Sequence, residues 1–309
     1  MSEEQPTPDQ PRCGFIALVG APNSGKSTLI NQLVGSKVSI VTPKVQTTRS
    51  RIIGIAILGD AQLVFVDTPG IFVPRRQLDR AMVAAAWAGA HSADIVVHIV
   101  DAAQRLASII SDDDRRIIDG LRDTGRRAHL ALNKVDLVKR PVLLDATDVL
   151  NREDIYSDVF MISALSGDGV DDLAAFLAGA LPHGPWLYPE DQIADVAMQL
   201  LAAEITREKL FLELHYELPY ASTVETERWT ERRDGSIRIE QVVYVQRDSQ
   251  KSIVLGKGGH QIKKIGELAR RELEEIFDQR IHLFLFVKVR RKWVEDPERY
   301  REMGLNIVE

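Results

Sequence analysis

Residues 20–27 read GAPNSGKS, and this octapeptide decides the fold. It fits Gly-x-x-x-x-Gly-Lys-[Ser/Thr]. The apolar run 14–19 leads into it, and a helix-forming stretch, 26–34, leaves it. That strand–loop–helix setting separates a phosphate-binding loop from an ordinary glycine turn before a helix. Gly20 and Gly25 let the backbone wrap closely around phosphate oxygens. Loop N–H groups and the helix N-terminus supply positive potential to an anion. Lys26 is expected to reach the β- and γ-phosphates and Ser27 to ligate Mg2+. Ala21, Pro22, Asn23, Ser24 and Thr28 complete the expected cradle.

Working outward, strand and helix patterns alternate. Residues 52–58 and 62–66 are β-rich with Gly59 and Asp60 between them, which predicts an antiparallel pair. Helix patterns at 80–90, 113–123, 142–150 and 170–181 alternate with apolar strand runs at 94–100, 129–132 and 158–162. This order predicts an α/β domain, a mainly parallel sheet with helices on both faces. Asp112 to Asp114 suit a solvated helix start, and His98 falls in an apolar strand.

Three further motifs follow strands. Asp67, Thr68, Pro69 and Gly70 (DTPG) come directly after the run 63–66. A carboxylate there can orient Mg2+, and the Gly70 N–H can meet the γ-phosphate. Between the loop and DTPG lies KVQTTRSR, 44–51, where a threonine could ligate Mg2+ only while the γ-phosphate is present. Thr47 and Thr48 both qualify, and Thr48 is favoured; an exposed basic loop is the competing interpretation. The stretch 133–136 reads NKVD. Guanine offers two adjacent donors to the Asp136 carboxylate, whereas adenine would leave it unpaired. Asn133 is expected to brace neighbouring loops and the base, and the Lys134 stem to cover one face of the base. Ser163 and Ala164 follow the next strand, with the Ala164 N–H available to guanine O6. The expected catalytic set is Lys26, Thr48 and Gly70; the expected metal set is Ser27, Thr48 and Asp67. Ile71 follows Gly70, and an aliphatic side chain cannot align a water. Slow turnover follows, with water aligned by backbone, partner or a monovalent cation. Asn23 is either a potassium-binding residue or a loop brace.

Composition sets outer limits. A chain of 309 residues suggests two domains of ~150 each. Its net charge of −6 excludes a molecule that is basic all over, so any nucleic-acid surface is local. The single cysteine, Cys13, excludes an internal disulfide and a multi-cysteine metal site. Residues 1–12 are acidic and proline-rich, and are expected to form a disordered tail without signal-peptide character. No stretch reaches the ~18 apolar residues of a membrane span. A cytoplasmic protein with at most peripheral membrane contact is expected.

Residues 13–181 form the expected nucleotide domain. LPHGPWLYPEDQ, with Pro182, Pro185 and Pro189, breaks the rhythm, so 182–192 is the expected linker, pinned by Trp186 and Tyr188. In 193–309 the order changes to a helix at 193–214, a hairpin of strands 223–229 and 237–246 turning at Asp234-Gly235, a helix at 261–277 and a strand at 282–289. Within it Gly256, Lys257, Gly258 and Gly259 form a G-x-x-G turn before a helix carrying Lys263 and Lys264. Such a turn lets a nucleic-acid backbone approach. Arg247, Lys251, Arg270 and Arg271 add charge, and Lys288, Arg290, Arg291 and Lys292 form a second basic group. Val254, Leu255, Ile262 and Ile265 are core or groove residues.

The ordered set GAPNSGKS, TTR, DTPG, NKVD and SA resembles the Ras-like translation-factor class of GTPases. The G-x-x-G unit resembles a prokaryotic, type II KH domain. Together, with PKVQTTRSRIIGI, AAEITREKL and ELPYASTVETE, they resemble the bacterial Era family nearly end to end. That resemblance implies a monomeric, slow GTPase that binds GTP or GDP with Mg2+. It further implies binding of the 3′ end of the small-subunit ribosomal RNA, a role in assembling the pre-ribosomal particle, and peripheral contact at the inner membrane. An alternative is a GTPase switch in RNA modification or membrane-associated regulation whose C-terminal unit binds protein. An ATPase is a third reading, which competition of ATP with GTP would decide.

Overall fold

The computed structural model describes residues 11–44, 48, 52–74, 76–106, 110–195, 197–214, 218 and 222–291. Several expectations therefore lie outside the described residues. They are most of the N-terminal tail, Thr47 and its neighbours in the 44–51 loop, much of ELPYASTVETE, Lys292 and the residues after it. The described residues fall into two units: 11–39 with 48–195, and 40–44 with 197–291.

The first unit is built on a six-stranded sheet in the order β2-β3-β1-β4-β5-β6. Its strands are β1 (Arg12–Val19), β2 (Ile52–Leu58), β3 (Ala61–Asp67), β4 (Ile95–Asp101), β5 (Ala128–Asn133) and β6 (Tyr156–Met161). β2 and β3 pair antiparallel, as the Gly59-Asp60 turn predicts; the other pairings are parallel. Helices α1 (Lys26–Val34), α2 (Gln77–Ser92), α3 (Asp112–Asp123), α4 (Arg140–Asn151) and α5 (Val170–Ala180) complete the unit. Alternation along β1 explains the layers. Ile16 and Leu18 join Leu29 and Ile30 of α1 and Leu173 and Leu177 of α5 in one core. Ala17 and Val19 join Ala86 of α2, Ile117 and Leu121 of α3 and Leu150 of α4 in the other. Parallel strands run the same way, so the C-terminal ends of β1, β3 and β5 lie together, where ligands of such sheets bind.

Two polar details differ from expectation. Asp114 is buried rather than solvated: it accepts from Ser111 Oγ at 2.6 Å and lies 3.5 Å from Nε2 of His98, itself fully buried in β4. The stretch after α5 stays with the first unit. Leu187 and Tyr188 donate their N–H groups to Gln62 Oε1, Trp186 Nε1 donates to Asp60 O, and Ile55 N–H donates to Ile193 O. Residues 193–195 thereby cover the β2 edge in extended form.

That pairing is why the helix expected from 193 starts later, as α6 (Met198–Glu213). The second unit adds β7 (Ser222–Glu231), β8 (Ile237–Val245), α7 (Asp248–Leu255), α8 (His260–Phe277) and β9 (Ile281–Val289). The sheet order is β7-β8-β9; the first pair is antiparallel and the second parallel. At the hairpin, Gly235 sits at φ 78 and Asp234 accepts the Ser236 N–H at 3.0 Å. The parallel β8–β9 pair needs a crossover, which α7 and α8 supply. Val243, Val245, Leu210, Ile265 and Val287 form one core, and Ile205, Ile239, Leu273 and Ile281 another.

Helix α7 is an addition to the sequence expectation, which placed only one helix between β8 and β9. It is eight residues long and buries only Val254, so it carries almost no apolar period. Its start is fixed by Gln250, whose Oε1 accepts the Gln246 and Arg247 N–H groups at 2.8 and 3.0 Å.

Candidate functional site

The phosphate loop joins β1 to α1. Gly25 precedes the helix at φ 101, and a Cβ there would lie 2.1 Å from Nδ2 of Asn133. At Gly20 a Cβ would lie 2.5 Å from the Ile99 carbonyl oxygen. Both positions exclude any side chain, so the loop backbone sits tight against β4 and the end of β5. Lys26 is buried, and its Nζ donates to Gly20 O at 3.0 Å and Ala21 O at 2.8 Å. Asn23 adopts φ 63, a left-handed conformation that asparagine tolerates.

Three hydroxyls converge on one carboxylate oxygen. Asp67, at the end of β3, accepts at Oδ2 from Ser39 (2.6 Å), Ser27 (2.9 Å) and Thr48 (3.1 Å). The Ser27 and Thr48 hydroxyls lie 3.0 Å apart. Burial pushes the Asp67 carboxyl up, opposed by the Ser39 hydroxyl, the Lys26 charge and the other hydroxyls. Its Oδ1 is buried without a hydrogen-bond partner among the described residues. An orphaned carboxylate oxygen beside two hydroxyls is a hard, all-oxygen donor set that fits Mg2+. Ser27, Thr48 and Asp67 could hold that ion. Ser39 lacks any motif and is absent from the expected site. Asn31 of α1 fixes it, accepting the Val38 and Ser39 N–H groups at 2.9 Å each.

Thr68 Oγ1 donates to Leu18 O at 2.9 Å, tying DTPG to β1. A Cβ on Gly70 would lie 2.9 Å from the Pro22 nitrogen. Ile71 is buried in the core with its N–H on Gly20 O at 3.2 Å, so no side chain from that position reaches a water.

The base motif is joined to the phosphate loop. Asn133 Nδ2 donates to Ser24 O at 2.8 Å, and Asn133 Oδ1 accepts the Ala164 N–H at 2.9 Å. One side chain thus braces three loops. Lys134, at φ 64, stretches its Nζ to Asn23 O (2.9 Å) and Asp101 Oδ2 (2.6 Å). Asp101 is a further site residue without a motif, although its place at the end of β4 is a general signal. Asp136 is exposed. The Ala164 N–H expected for guanine O6 is engaged by Asn133 here. Ser163, also buried, receives the Ser166 N–H at 3.3 Å.

In the second unit, Gly256, Gly258 and Gly259 take φ of 70, 63 and 79 between α7 and α8. A Cβ on Gly256 would strike Gln261, whereas Gly258 and Gly259 face open space. Lys257 and Lys263 are exposed, and Lys264 pairs with Glu213 at 2.6 Å. Arg270 and Arg271 pair with Glu274 and Glu267 one turn away on α8, which removes them from the free positive surface. Val254 and Ile265 are core, Leu255 and Ile262 half-buried, and Ile253, not expected, is exposed near the turn.

Family comparison agrees with both units. Residues 15–134 match the family described as "50S ribosome-binding GTPase", and residues 217–294 match the KH domain family. The chain is 60% identical over 297 residues to GTPase Era of Brucella suis, covering 96% of this chain and 94% of the relative. The chain belongs to the GTPase Era family. GTPase Era of Rhizobium meliloti is 60% identical over 295 residues, covering 96% of this chain and 93% of the relative. The crystal structure of an Aquifex aeolicus Era variant bound to GDP·AlF4− superposes with a TM-score of 0.89 at 35% identity, covering 95% of this chain and 99% of that one. A crystal structure of Era in complex with MgGDPNP and nucleotides 1506–1542 of 16S ribosomal RNA also gives 0.89, at 34% identity and the same coverage. As an Era-family GTPase, the chain hydrolyses GTP and carries a KH domain after its G domain.

The buried lysine gives a pH test. Burial lowers the Lys26 ammonium to about 8, partly opposed by Asp67 and Asp114. Phosphate oxygens at this site would restore the charge. GDP, whose terminal phosphate is already ionised above about pH 7, is therefore expected to take up about a quarter of a proton on binding at about pH 7.5 and close to one at about pH 9. Titration calorimetry in two buffers of different ionisation enthalpy measures the uptake. Equal uptake at both pH values would remove Lys26 from the phosphate site. Without nucleotide the unfolded chain holds this proton more tightly, so the lysine's cost to stability is full below about 8 and fades toward 10.5.

Proposed function

We propose that this GTPase is a slow switch that binds the 3′ end of the small-subunit ribosomal RNA, as a single strand, during assembly of the small subunit. The observation that carries the RNA half is the turn at 256–259. Two glycines there face open space between two helices, with Lys257 and Lys263 exposed beside them. A relative at 34% identity is crystallised with a 16S ribosomal RNA segment, which supports the same ligand here.

In this proposal Gly20 to Thr28, Asp67 to Gly70, Asn133, Lys134, Asp136, Ser163 and Ala164 hold the nucleotide. Ser27, Thr48 and Asp67 hold Mg2+, an ion present with GDPNP in that relative. The ion's charge screens the phosphates while Lys26 and the Gly70 N–H meet the γ-phosphate. Ile71 supplies no water-aligning group, which supports slow intrinsic turnover. Asn23 is proposed either to hold potassium as the aligning cation or to brace the loop, and its carbonyl oxygen accepts from Lys134 Nζ at 2.9 Å. We also propose a monomer that works in the cytoplasm and touches the inner membrane only peripherally. Among the described residues no helix is long and apolar enough to cross a membrane.

The test is crosslinking of the purified protein to ribosomal RNA with GTP analogue, GDP and no nucleotide, followed by mapping. Crosslinks outside the 3′ end of the small-subunit RNA would refute the assignment. Gly258→Asp adds a Cβ that, chain neighbours aside, meets no described atom within 4 Å, at a positive φ that aspartate tolerates. RNA affinity is expected to fall about tenfold or more at low salt, with GTP hydrolysis unchanged. If RNA binding survives and a protein partner is lost instead, the C-terminal unit is a protein-binding module.

A further inference from the structure

The first turn of α1 carries Ser27, and Asn31 follows it at i+4 on the same face of the helix. The Asn31 amide grips both polar backbone groups of Ser39. Its Oδ1 accepts the Ser39 N–H at 2.9 Å, and its Nδ2 donates to the Ser39 carbonyl oxygen at 2.7 Å. The same Oδ1 accepts the Val38 N–H at 2.9 Å, and the Val38 side chain packs in one core with Ile30 of α1. With its backbone clamped in this way, Ser39 keeps only its side-chain rotation as freedom.

The Ser39 hydroxyl spends that freedom on Asp67. Both residues are fully buried, and their 2.6 Å bond is the shortest of the three that Asp67 Oδ2 accepts. The other two donors, Ser27 and Thr48, are themselves proposed metal ligands and would be shared with the ion. Ser39 is left to serve the carboxylate alone. A carboxylate at a metal site keeps its orientation through such outer hydrogen bonds. Holding Oδ2 also sets the direction of Oδ1, the oxygen without a hydrogen-bond partner among the described residues.

We propose that Ser39, clamped by Asn31, is a positioning residue of the Mg2+ site: it fixes the Asp67 carboxylate to α1, the helix that supplies Ser27. Asp67 thus meets α1 twice, directly through Ser27 and indirectly through Ser39 and Asn31. The inference rests on Ser27 and Asp67 as metal-site residues and adds two residues that no motif contains. Neither lies in the 44–51 loop and neither needs a γ-phosphate, so their contribution is the same with GDP and with GTP.

The test uses the full-length protein and titrates Mg2+ against its gain in affinity for GDP and for GDPNP, with affinity in EDTA as the baseline. Ser39→Ala is expected to raise the Mg2+ midpoint about tenfold or more for both nucleotides and to leave the baseline unchanged. Asn31→Ala removes no bond to Asp67, yet should shift the midpoint in the same direction. In the double variant the shift should match that of Ser39→Ala alone, because Asn31 acts through Ser39. If Asn31→Ala does not fold, Ser39→Ala, which removes a single hydroxyl, decides alone. Ser27→Ala is the reference for the metal site itself. A shifted midpoint in Ser27→Ala with none in Ser39→Ala overturns the inference and leaves the metal site standing; no shift in either removes both. An equal loss for Ser39→Ala with Mg2+ and with EDTA also overturns it, since the serine would then only support the fold. A shift confined to GDPNP would tie Ser39 to the γ-phosphate instead and overturn it as well.

Discussion

Asp136→Asn is expected to lower GDP affinity roughly a hundredfold or more and to create affinity for xanthosine diphosphate. The carboxylate presents two acceptor oxygens, matching the N1–H and exocyclic amine of guanine. Asparagine replaces one acceptor with an NH2 donor, which faces the guanine amine as donor against donor. One charge-assisted bond, worth about 1.5–3 kcal/mol, is lost to a donor–donor clash, and the other is weakened to a neutral bond. Xanthine keeps N1–H but carries a carbonyl where guanine has its amine, so it pairs with both ends of the new amide. Asp136 is exposed, and the bracing of the loops falls to Asn133 and Lys134. The fold should therefore stand, and the change should be confined to base choice. Competition between GDP and xanthosine diphosphate by fluorescence or calorimetry reads the result. Retention of GDP within about threefold of the parent affinity, well short of one bond lost and one weakened, would displace Asp136 from the base.

The parallel sheet was legible because its strands are short apolar runs whose neighbours on both sides are helix-forming, and burial on two faces leaves no other place for them. The phosphate loop was legible for a different reason: glycine at 20 and 25 is required by contacts with the Ile99 carbonyl oxygen and Asn133, so sequence and geometry state the same constraint. Ser39 and Asp101 were not legible, because each reaches the site residues through a bond that any hydroxyl or carboxylate could make, Ser39 to Asp67 and Asp101 to Lys134. Helix α7 was missed because capping by Gln250, rather than an apolar stripe, defines it. Asp114 misled for the opposite reason. Three aspartates in a row suit a solvated helix start, yet the third is buried, with partners in Ser111 and the buried His98. The burial of Glu208 was invisible in AAEITREKL, since Val41, whose N–H it accepts, is remote in sequence.

Gly70→Ala should separate hydrolysis from binding. A Cβ at this position would lie 2.9 Å from the Pro22 nitrogen, 3.0 Å from its Cα and 3.2 Å from its Cγ. Two of those are backbone atoms of the phosphate loop, which Gly25 and Asn133 hold against β5. The loop cannot yield, so the DTPG segment must move outward by some tenths of an ångström. The Gly70 N–H then misses the γ-phosphate oxygen, where charge builds in the transition state. Losing one preorganised donor of this kind costs about a hundred- to a thousandfold in rate. GDP has no γ-phosphate, so its affinity should change less than about threefold, since no bond to it is lost. Single-turnover hydrolysis of GTP beside GDP titration measures both. Gly179→Ala is the matched control: it lies within α5, with no described atom within 4 Å of the added carbon, and should leave both values unchanged. An unaltered turnover in Gly70→Ala would mean that the γ-phosphate draws its stabilisation from Lys26 and the metal alone, and that DTPG serves only to carry Asp67.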